Sequence, residues 1–105
     1  DNTSTGNKIA KAMGAQVKWK ESTTLGAVGN NSTTNNKSGF SGLPGAYRMF
    51  SGNLSSFGGI FGAWWSATSN SSDFGNYRYL FYEYSELWNG DDCAESGFSV
   101  RCVKD

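Results

Sequence analysis

The stretch "NYRYLFYEYSELW" (residues 76–88) carries the strongest secondary-structure signal in the chain. Aromatic residues are typical of β-strands, and successive side chains of a strand lie on opposite faces. Alternation sorts them into two sets: Arg78, Leu80, Tyr82 and Tyr84 on one face, and Tyr77, Tyr79, Phe81 and Glu83 on the other. Because both faces are aromatic, we predict a central strand with one face in the core and the other partly covered.

Shorter segments on either side also predict strands. "AWWSATS" (residues 63–69) is typical of a strand that leads into a polar loop, and "GFSVRCV" (residues 97–103) predicts the last strand. Nearer the start, "VKWK" (residues 17–20) is short and alternating, with Val17 and Trp19 on one face. That segment is interpreted either as a strand or as an anchored loop.

The first ordered element is predicted to be a short helix. Ile9, Ala12 and Met13 have the i, i+3, i+4 spacing of one apolar stripe, and Gly14 occupies the position of a left-handed C-cap. Its N-cap is expected from one of three hydroxyl residues: Thr3, Ser4 or Thr5. Residues 21–38 follow, rich in turn formers, and predict a long loop that is either functional or anchored by Leu25 and Val28.

The bulk composition predicts one compact, loop-rich domain. With nine basic and nine acidic residues the 105-residue chain lacks the charge of a nucleic-acid binder, and it has no apolar run of the ~20 residues that span a bilayer. Seven Phe, five Tyr and four Trp stand among abundant Gly, Ser and Asn, a combination that is also typical of binding loops. The alternative is an ordinary aromatic core under polar loops.

Catalytic chemistry is disfavoured by the residue types. The absence of histidine excludes His-based triads and imidazole proton transfer. Cys93 and Cys102 have eight residues between them, too many for a C-x-x-C redox motif, and two thiols alone do not form a zinc site. The clustered carboxylates are interpreted as loop charges rather than a hydrolase pair: Glu83, Glu86, Asp91, Asp92 and Glu95. We therefore predict a protein that is not an enzyme.

Four phrases recur in a familiar order. They are "SGFSGLPGAYR" (residues 38–48), "AWWSATS" (63–69), "YRYLFY" (77–82) and "SGFSVRCVKD" (96–105). Together they resemble the Fibrobacter succinogenes major paralogous domain family over residues 6–105. The resemblance implies an α+β, C-type-lectin-like fold, with a small mixed or antiparallel sheet, one or two short helices and long loops. It also implies a secreted or surface-anchored bacterial module, made of a single domain over residues 1–105 that lacks the family's upstream part.

The same resemblance bears on the cysteines and on metal binding. A Cys93–Cys102 disulfide is similar to the short bridge of C-type-lectin-like domains, would contribute roughly 2–3 kcal/mol, and implies an oxidising compartment; the alternative is two reduced cysteines. Trp88, Asn89, Asp91 and Asp92 resemble a calcium-binding WND phrase with one residue inserted, but the partner loop is absent. No cofactor is predicted, calcium stays an alternative, and Asn89-Gly90 is expected to reverse the chain in a solvated turn.

A binding surface is the function that these features favour. Related lectin-like proteins vary the residues before a GFSVR-like ending, which implies a site of aromatic, amide and acidic side chains here. The predicted ligand-binding residues are Phe74, Tyr77, Tyr84, Trp88, Asn89, Asp91 and Asp92. The expected partner is a glycan or a protein, with no nucleic acid and no direct membrane insertion, at the bacterial surface or outside the cell. The alternative is a structural spacer with no ligand, in which Tyr77 and Trp88 belong to the core.

Overall fold

The computed structural model describes residues 8–45, 47–49, 51–55, 58–69 and 71–104. In chain order the elements are helix α1 (Ala10–Met13), a 3₁₀ turn (Ser32–Thr34), and strands β1 (Tyr47–Arg48), β2 (Leu54–Ser55), β3 (Phe61–Ser69), β4 (Phe74–Phe81) and β5 (Trp88–Cys93). Strands β3, β4 and β5 form an antiparallel sheet in that order, and β1 pairs with β2. The prediction of an α+β architecture with a small antiparallel sheet and little helix is confirmed at this level.

Strand β4 is central, as predicted, but it ends at Phe81. The predicted continuation over residues 82–87 is wrong, because the Tyr84 amide donates to the Phe81 carbonyl and closes a turn. The long loop over residues 21–38 holds this turn in place. Gly29 N–H donates to the Tyr82 carbonyl, and Val28 N–H donates to the Tyr84 carbonyl. Hydrogen bonds to a distant segment thus override the local preference of an aromatic run for extended structure.

The predicted solvated turn at Asn89-Gly90 is also wrong, because both residues lie within β5. Asn89 pairs with Arg78 and Gly90 with Tyr77. A Cβ atom at Gly90 would come within 3.0 Å of the Tyr77 ring carbon Cζ. Glycine is therefore needed here for the close approach of an aromatic ring, and the chain reverses earlier, in residues 82–87.

The core lies against one side of the sheet, which we call the core face. Leu80 of β4 is fully buried there with Ala10 and Val28, and Trp19 is 7% exposed. Half-buried side chains pack around them: Met13, Trp64, Tyr82 and Leu87. Helix α1 and the loops that follow it therefore pack on this face of the sheet.

Residues 17–20 form an anchored loop rather than a strand. The Trp19 indole donates its Nε1 hydrogen to the Gly42 carbonyl oxygen at 3.1 Å, which fixes a buried ring by its one polar atom. Val17, predicted to share a face with Trp19, is 57% exposed. Of the two alternatives that the sequence left open, the structure selects the loop.

Helix α1 is short and ends differently from the prediction. Its buried residues are Ala10 and Lys11, whereas Ala12 and Met13 of the predicted stripe are half-buried. Gly14 is extended, with φ −74° and ψ 149°, so it is not a left-handed cap. A Cβ atom there would overlap the Val28 side chain, so close packing is what requires glycine. The predicted N-cap residues Thr3, Ser4 and Thr5 lie outside the described residues.

Buried side chains fasten the long loop over residues 21–38 to the core. Val28 is fully buried, as predicted, but Leu25 is 86% exposed and anchors nothing. The second anchor is Asn35, which is 4% exposed and donates from Nδ2 to the carbonyls of Ala15 (3.0 Å) and Val28 (2.9 Å). A buried amide that bridges two loop segments replaces the predicted leucine.

The end of the chain (residues 97–104, here the C-terminal segment) runs beside β3 without forming the predicted strand. Gly97 bridges Arg48, Ser99 bridges Trp64, and the Trp65 amide donates to the Ser99 carbonyl at 3.1 Å. Beyond Ser99, Val100 and Val103 are 74% and 72% exposed. No helix in the described part of the chain has the length and apolar character that crossing a bilayer requires.

Candidate binding face

The side of the sheet opposite the core face carries a continuous run of aromatic rings. Tyr77, Tyr79 and Phe81 share this side because they alternate along β4 with the core-facing Leu80. Rings from the neighbouring strands and loops join them. We call this set the aromatic face: Tyr47, Phe61, Trp65, Tyr77, Tyr79, Phe81, Tyr84, Trp88 and Phe98.

Phe98 is the centre of one half of the aromatic face. Its ring stacks on Tyr77 with centroids 4.5 Å apart and planes 16° apart, and on Tyr47 at 5.3 Å and 13°. Trp65 meets Phe98 edge-on at 4.6 Å and 90°. These are the stacked and T-shaped arrangements that aromatic pairs prefer, so Phe98 joins the end of the chain to the sheet.

Trp88 and Tyr84 form the other, more open half. Trp88 stacks on Tyr79 with centroids 6.5 Å apart, and Tyr84 lies 6.0 Å from Trp88 and 5.0 Å from Phe81. Trp88 is 39% exposed and Tyr84 46% exposed. Two large rings are therefore held by ring contacts on one side while the other side meets solvent.

A groove of about 270 Å³ runs along the aromatic face. Its lining residues are Tyr47, Phe61, Tyr77, Tyr79, Phe81, Asp92 and Phe98. Asp92 supplies the one carboxylate among these described residues. Its Oδ1 accepts hydrogen bonds from the Cys93 amide (2.7 Å) and the Ser96 hydroxyl (3.3 Å), which hold the carboxylate at the end of β5. The groove thus combines apolar ring surface with a fixed hydrogen-bond acceptor.

The environment of Tyr77 favours its neutral form. Burial raises the pKa of Tyr77 above its usual value because the phenolate loses hydration, and the nearby Tyr79 phenol and Asp92 carboxylate raise it further. The phenol is therefore protonated at neutral pH. It offers a hydroxyl that donates to a ligand oxygen as well as accepting from one.

The structure divides the seven predicted binding residues between the two sides of the sheet. Tyr77, Tyr84, Trp88 and Asp92 belong to the aromatic face or its groove. Phe74, Asn89 and Asp91 alternate with these along β4 and β5, so they lie on the opposite side, and Phe74 is 43% exposed there. The site predicted from one stretch of sequence is thus only partly brought together.

Six members of the aromatic face were not predicted as site residues from the sequence: Tyr47, Phe61, Trp65, Tyr79, Phe81 and Phe98. The signal for Tyr79 and Phe81 was present, since strand alternation already placed them beside Tyr77. Phe61 pairs with Phe81 across β3 and β4, and that register was not predicted. Tyr47 and Phe98 come from separate segments that the Arg48–Gly97 bridge brings together, a long-range contact that no local pattern indicates.

The oxygen ligands considered for calcium do not share one side of β5. Asn89 and Asp91 lie on one side of that strand and Asp92 on the other. Among the described residues no group of three or more His, Cys, Asp or Glu side chains comes together in a way that could hold a metal ion. The described residues therefore contain no cluster of carboxylates that could bind calcium.

Both cysteines are free thiols in the structure. Cys93 is half-buried at the end of β5, and Cys102 is exposed on the C-terminal segment. Strand β4 separates β5 from β3, and the C-terminal segment runs beside β3. The Cys93–Cys102 disulfide therefore stays a prediction, and its formation needs the two Cα atoms within ~7 Å of each other.

Comparison with known proteins gave a negative result. No protein-family model, curated protein or solved structure was found to match this chain.

Proposed function

We propose that this chain is a non-enzymatic recognition or adhesion module of C-type-lectin-like fold, from a secreted or surface-anchored bacterial protein. Its ligand is a glycan that lies along the aromatic face. The observation that supports this most is the pair of exposed rings, Trp88 and Tyr84, which contact Tyr79 and Phe81 of the groove lining.

The chemistry of the aromatic face suits a carbohydrate. Sugar rings have apolar C–H faces that stack on large aromatic rings, and rims of hydroxyl groups that need hydrogen-bond partners. Trp88 and Tyr84 supply the ring surface, whereas Asp92 accepts hydroxyl hydrogens and Tyr77 exchanges hydrogen bonds in either direction. Rigid Tyr and Trp rings also lose little conformational entropy on binding.

The extent of the aromatic face along β5 favours an oligosaccharide over a single sugar. Trp88 and Asp92 lie four residues apart on the same side of β5, which corresponds to about 13 Å along a strand. A ligand that contacts both must extend along the strand. Each additional sugar unit then adds a ring contact with Tyr79 or Tyr77.

The placement of the carboxylates supports binding rather than hydrolysis. A glycosidase needs two carboxyl groups that face each other across the scissile bond, about 5–9.5 Å apart. Asp91 and Asp92 are adjacent in β5, so their side chains leave the strand on opposite sides. Only Asp92 lines the groove.

The rival function is a spacer domain in which the rings serve packing alone. Trp19 is buried and Trp64 and Trp65 are half-buried, as that function requires. The exposed Trp88 separates the two hypotheses, because a ring that only packs gains most from full burial. A module with a ligand keeps such a ring accessible.

A glycan array, screened with and without a chelator, tests the proposal directly. We expect binding to oligosaccharides that survives chelation, because the described carboxylates form no metal cluster. Binding that chelation abolishes would establish a calcium site. Absence of binding to every glycan, together with capture of a protein partner in a pulldown, would replace the glycan with a protein ligand. No binding in either format would support the spacer.

Two matched variants locate the site once a glycan is found. Trp88→Ala removes an exposed ring of the aromatic face, and Phe74→Ala removes a similarly exposed ring from the other side of the sheet. We expect Trp88→Ala to weaken binding at least about tenfold, equivalent to ~1.4 kcal/mol, while Phe74→Ala leaves it unchanged. Equal losses in titration calorimetry would show that the ligand does not lie on the aromatic face.

A further inference from the structure

A second, larger pocket lies on the other side of the sheet. It has a volume of about 620 Å³ and is bounded by helix α1, strands β3 and β4 and the C-terminal segment. This is within the ~300–1,000 Å³ range that is usual for small-molecule sites. It lies mainly on the opposite side from the aromatic face and shares only Trp65 with it among the described residues, so its proposed ligand is independent of the function proposed above.

The walls of this pocket are mostly apolar. Trp64 is fixed by an edge-to-face contact with Phe40, with centroids 5.5 Å apart and planes at 83°. Met13 and Leu87 line the pocket where it meets the core, and the C-terminal segment contributes Val100. The lining therefore offers a mostly aliphatic and aromatic surface to a ligand.

The outer wall presents apolar side chains to solvent. Val100 and Val103 line the pocket yet are 74% and 72% exposed, and Cys102 between them is also exposed. Exposed apolar side chains around a concave surface are a feature of binding grooves. A ligand in the pocket would cover these valines and remove them from water.

The charge of the pocket has one sign. Two of its described lining residues are charged, Arg78 and Arg101, and both are positive. The Arg101 guanidinium lies over the Phe40 ring, 5.5 Å from its centroid, which holds the cation at the pocket rim. Arg78 reaches the pocket from β4, next to its strand partner Trp64.

We infer that this pocket binds a small amphiphile with an apolar body and a carboxylate head, such as a medium-chain fatty acid. The planar guanidinium group presents paired N–H donors that match a carboxylate, and an arginine beside apolar surface strengthens the ion pair because water is displaced. A cationic amphiphile of the same length meets like charges in the same pocket. A neutral one gains the apolar contacts alone.

The exposed thiol of Cys102 provides a local readout of occupancy. Cys102 lines the pocket and Cys93 does not, so alkylation of the reduced protein compares the two positions within one sample. Decanoate is the probe, kept below its micellar concentration, with decanol and decyltrimethylammonium as controls. At ten times its dissociation constant, decanoate should slow alkylation of Cys102 about tenfold and leave Cys93 unchanged.

Two arginine variants test the head-group contact. Arg78→Gln and Arg101→Gln should each weaken decanoate binding about tenfold in titration calorimetry, a readout that does not depend on the thiol. Protection by decanol should stay the same. Arg48→Gln, in β1 and outside the pocket, is the matched control and should bind decanoate like the unmodified chain.

Several outcomes would overturn the inference. Lack of protection by decanoate would show that the pocket binds no such ligand. Equal protection by the cationic and neutral amphiphiles would indicate a non-specific apolar surface, and equal slowing at Cys93 a global change of the protein. Protection of Cys102 that rises with protein concentration alone would assign the pocket to contact with a second copy of the chain.

Discussion

The two sides of the three-stranded sheet are formed by the same strands, but different side chains cover them. On the core face, Leu80 is fully buried beneath Val28 and Trp19, which the long N-terminal loops deliver. On the aromatic face, Tyr77 and Tyr79 are only half-buried, and most of what covers them is other rings. Neighbouring positions of β4 therefore differ in burial because different segments of the chain pack on the two sides of the strand.

This difference assigns separate tasks to the two sides. The core face holds closely packed aliphatic and aromatic side chains, so its contribution to stability depends on the volume of each one. The aromatic face holds rings whose edges and faces reach solvent, so it retains surface that a ligand can bury. Changes on the first side should unfold the protein, and changes on the second should alter the groove first.

The largest effect is expected from Leu80→Ala on the core face. Truncating a fully buried leucine removes its transfer free energy and leaves a cavity, which together cost about 2–5 kcal/mol. Urea unfolding should show a lower midpoint with an unchanged slope.

The control is the same substitution at Leu25, which is 86% exposed. Leu25→Ala should change the free energy of unfolding by less than about 0.5 kcal/mol. If the two variants were equally stable, the core would not lie on this face.

A smaller effect is expected from Gly90→Ala beneath the aromatic face. The added methyl group would sit 3.0 Å from the Tyr77 Cζ and Oη atoms, so the ring must shift, which disturbs its stacking on Phe98. We expect a cost of about 1–3 kcal/mol and a weaker aromatic signal in near-ultraviolet circular dichroism, with the sheet retained.

Gly45→Ala is the matched control for this change. A Cβ atom there would meet only the Ser99 Oγ, at an ordinary contact distance of 3.8 Å. Its free energy of unfolding should stay within about 0.5 kcal/mol of the unmodified chain. A Gly90→Ala variant with an unchanged aromatic signal would show that the ring does not depend on the glycine.

Much of the central sheet could be predicted from the sequence because strand alternation is a local property. The strand over residues 63–69, the central place of β4 and the two faces of that strand follow from residue types alone. The end of β4 could not be predicted, because it depends on hydrogen bonds from a segment far away in the sequence. The amides of Val28 and Gly29 donate to the carbonyls of Tyr84 and Tyr82. The same reason explains why Asn89-Gly90 was mistaken for the turn.

The candidate site was predictable only where one strand supplied it. Tyr77 and Trp88 stand out as large amphipathic rings in a polar context, whereas Phe98 becomes central only when Gly97 pairs with Arg48. Glycine spacing was also ambiguous. A glycine that makes room for a ring has the same sequence signal as one that turns the chain, and Gly90 proved to be the former.

The smallest expected effect is on the alkaline limit of stability and comes from Tyr77→Phe. Because burial raises the pKa of Tyr77, with Tyr79 and Asp92 adding to the shift, the folded chain holds this proton to a higher pH than the unfolded chain. Stability from this group is therefore complete below the usual tyrosine pKa of about 10 and is lost as the pH rises through the raised value. Phenylalanine keeps the ring stacked on Phe98 but cannot ionise. The urea midpoint should consequently fall less between pH 8 and about pH 10.5 for Tyr77→Phe than for the unmodified chain. An equal fall would mean that the Tyr77 phenol is as well hydrated as in the unfolded chain. This part of the aromatic face would then be open to water.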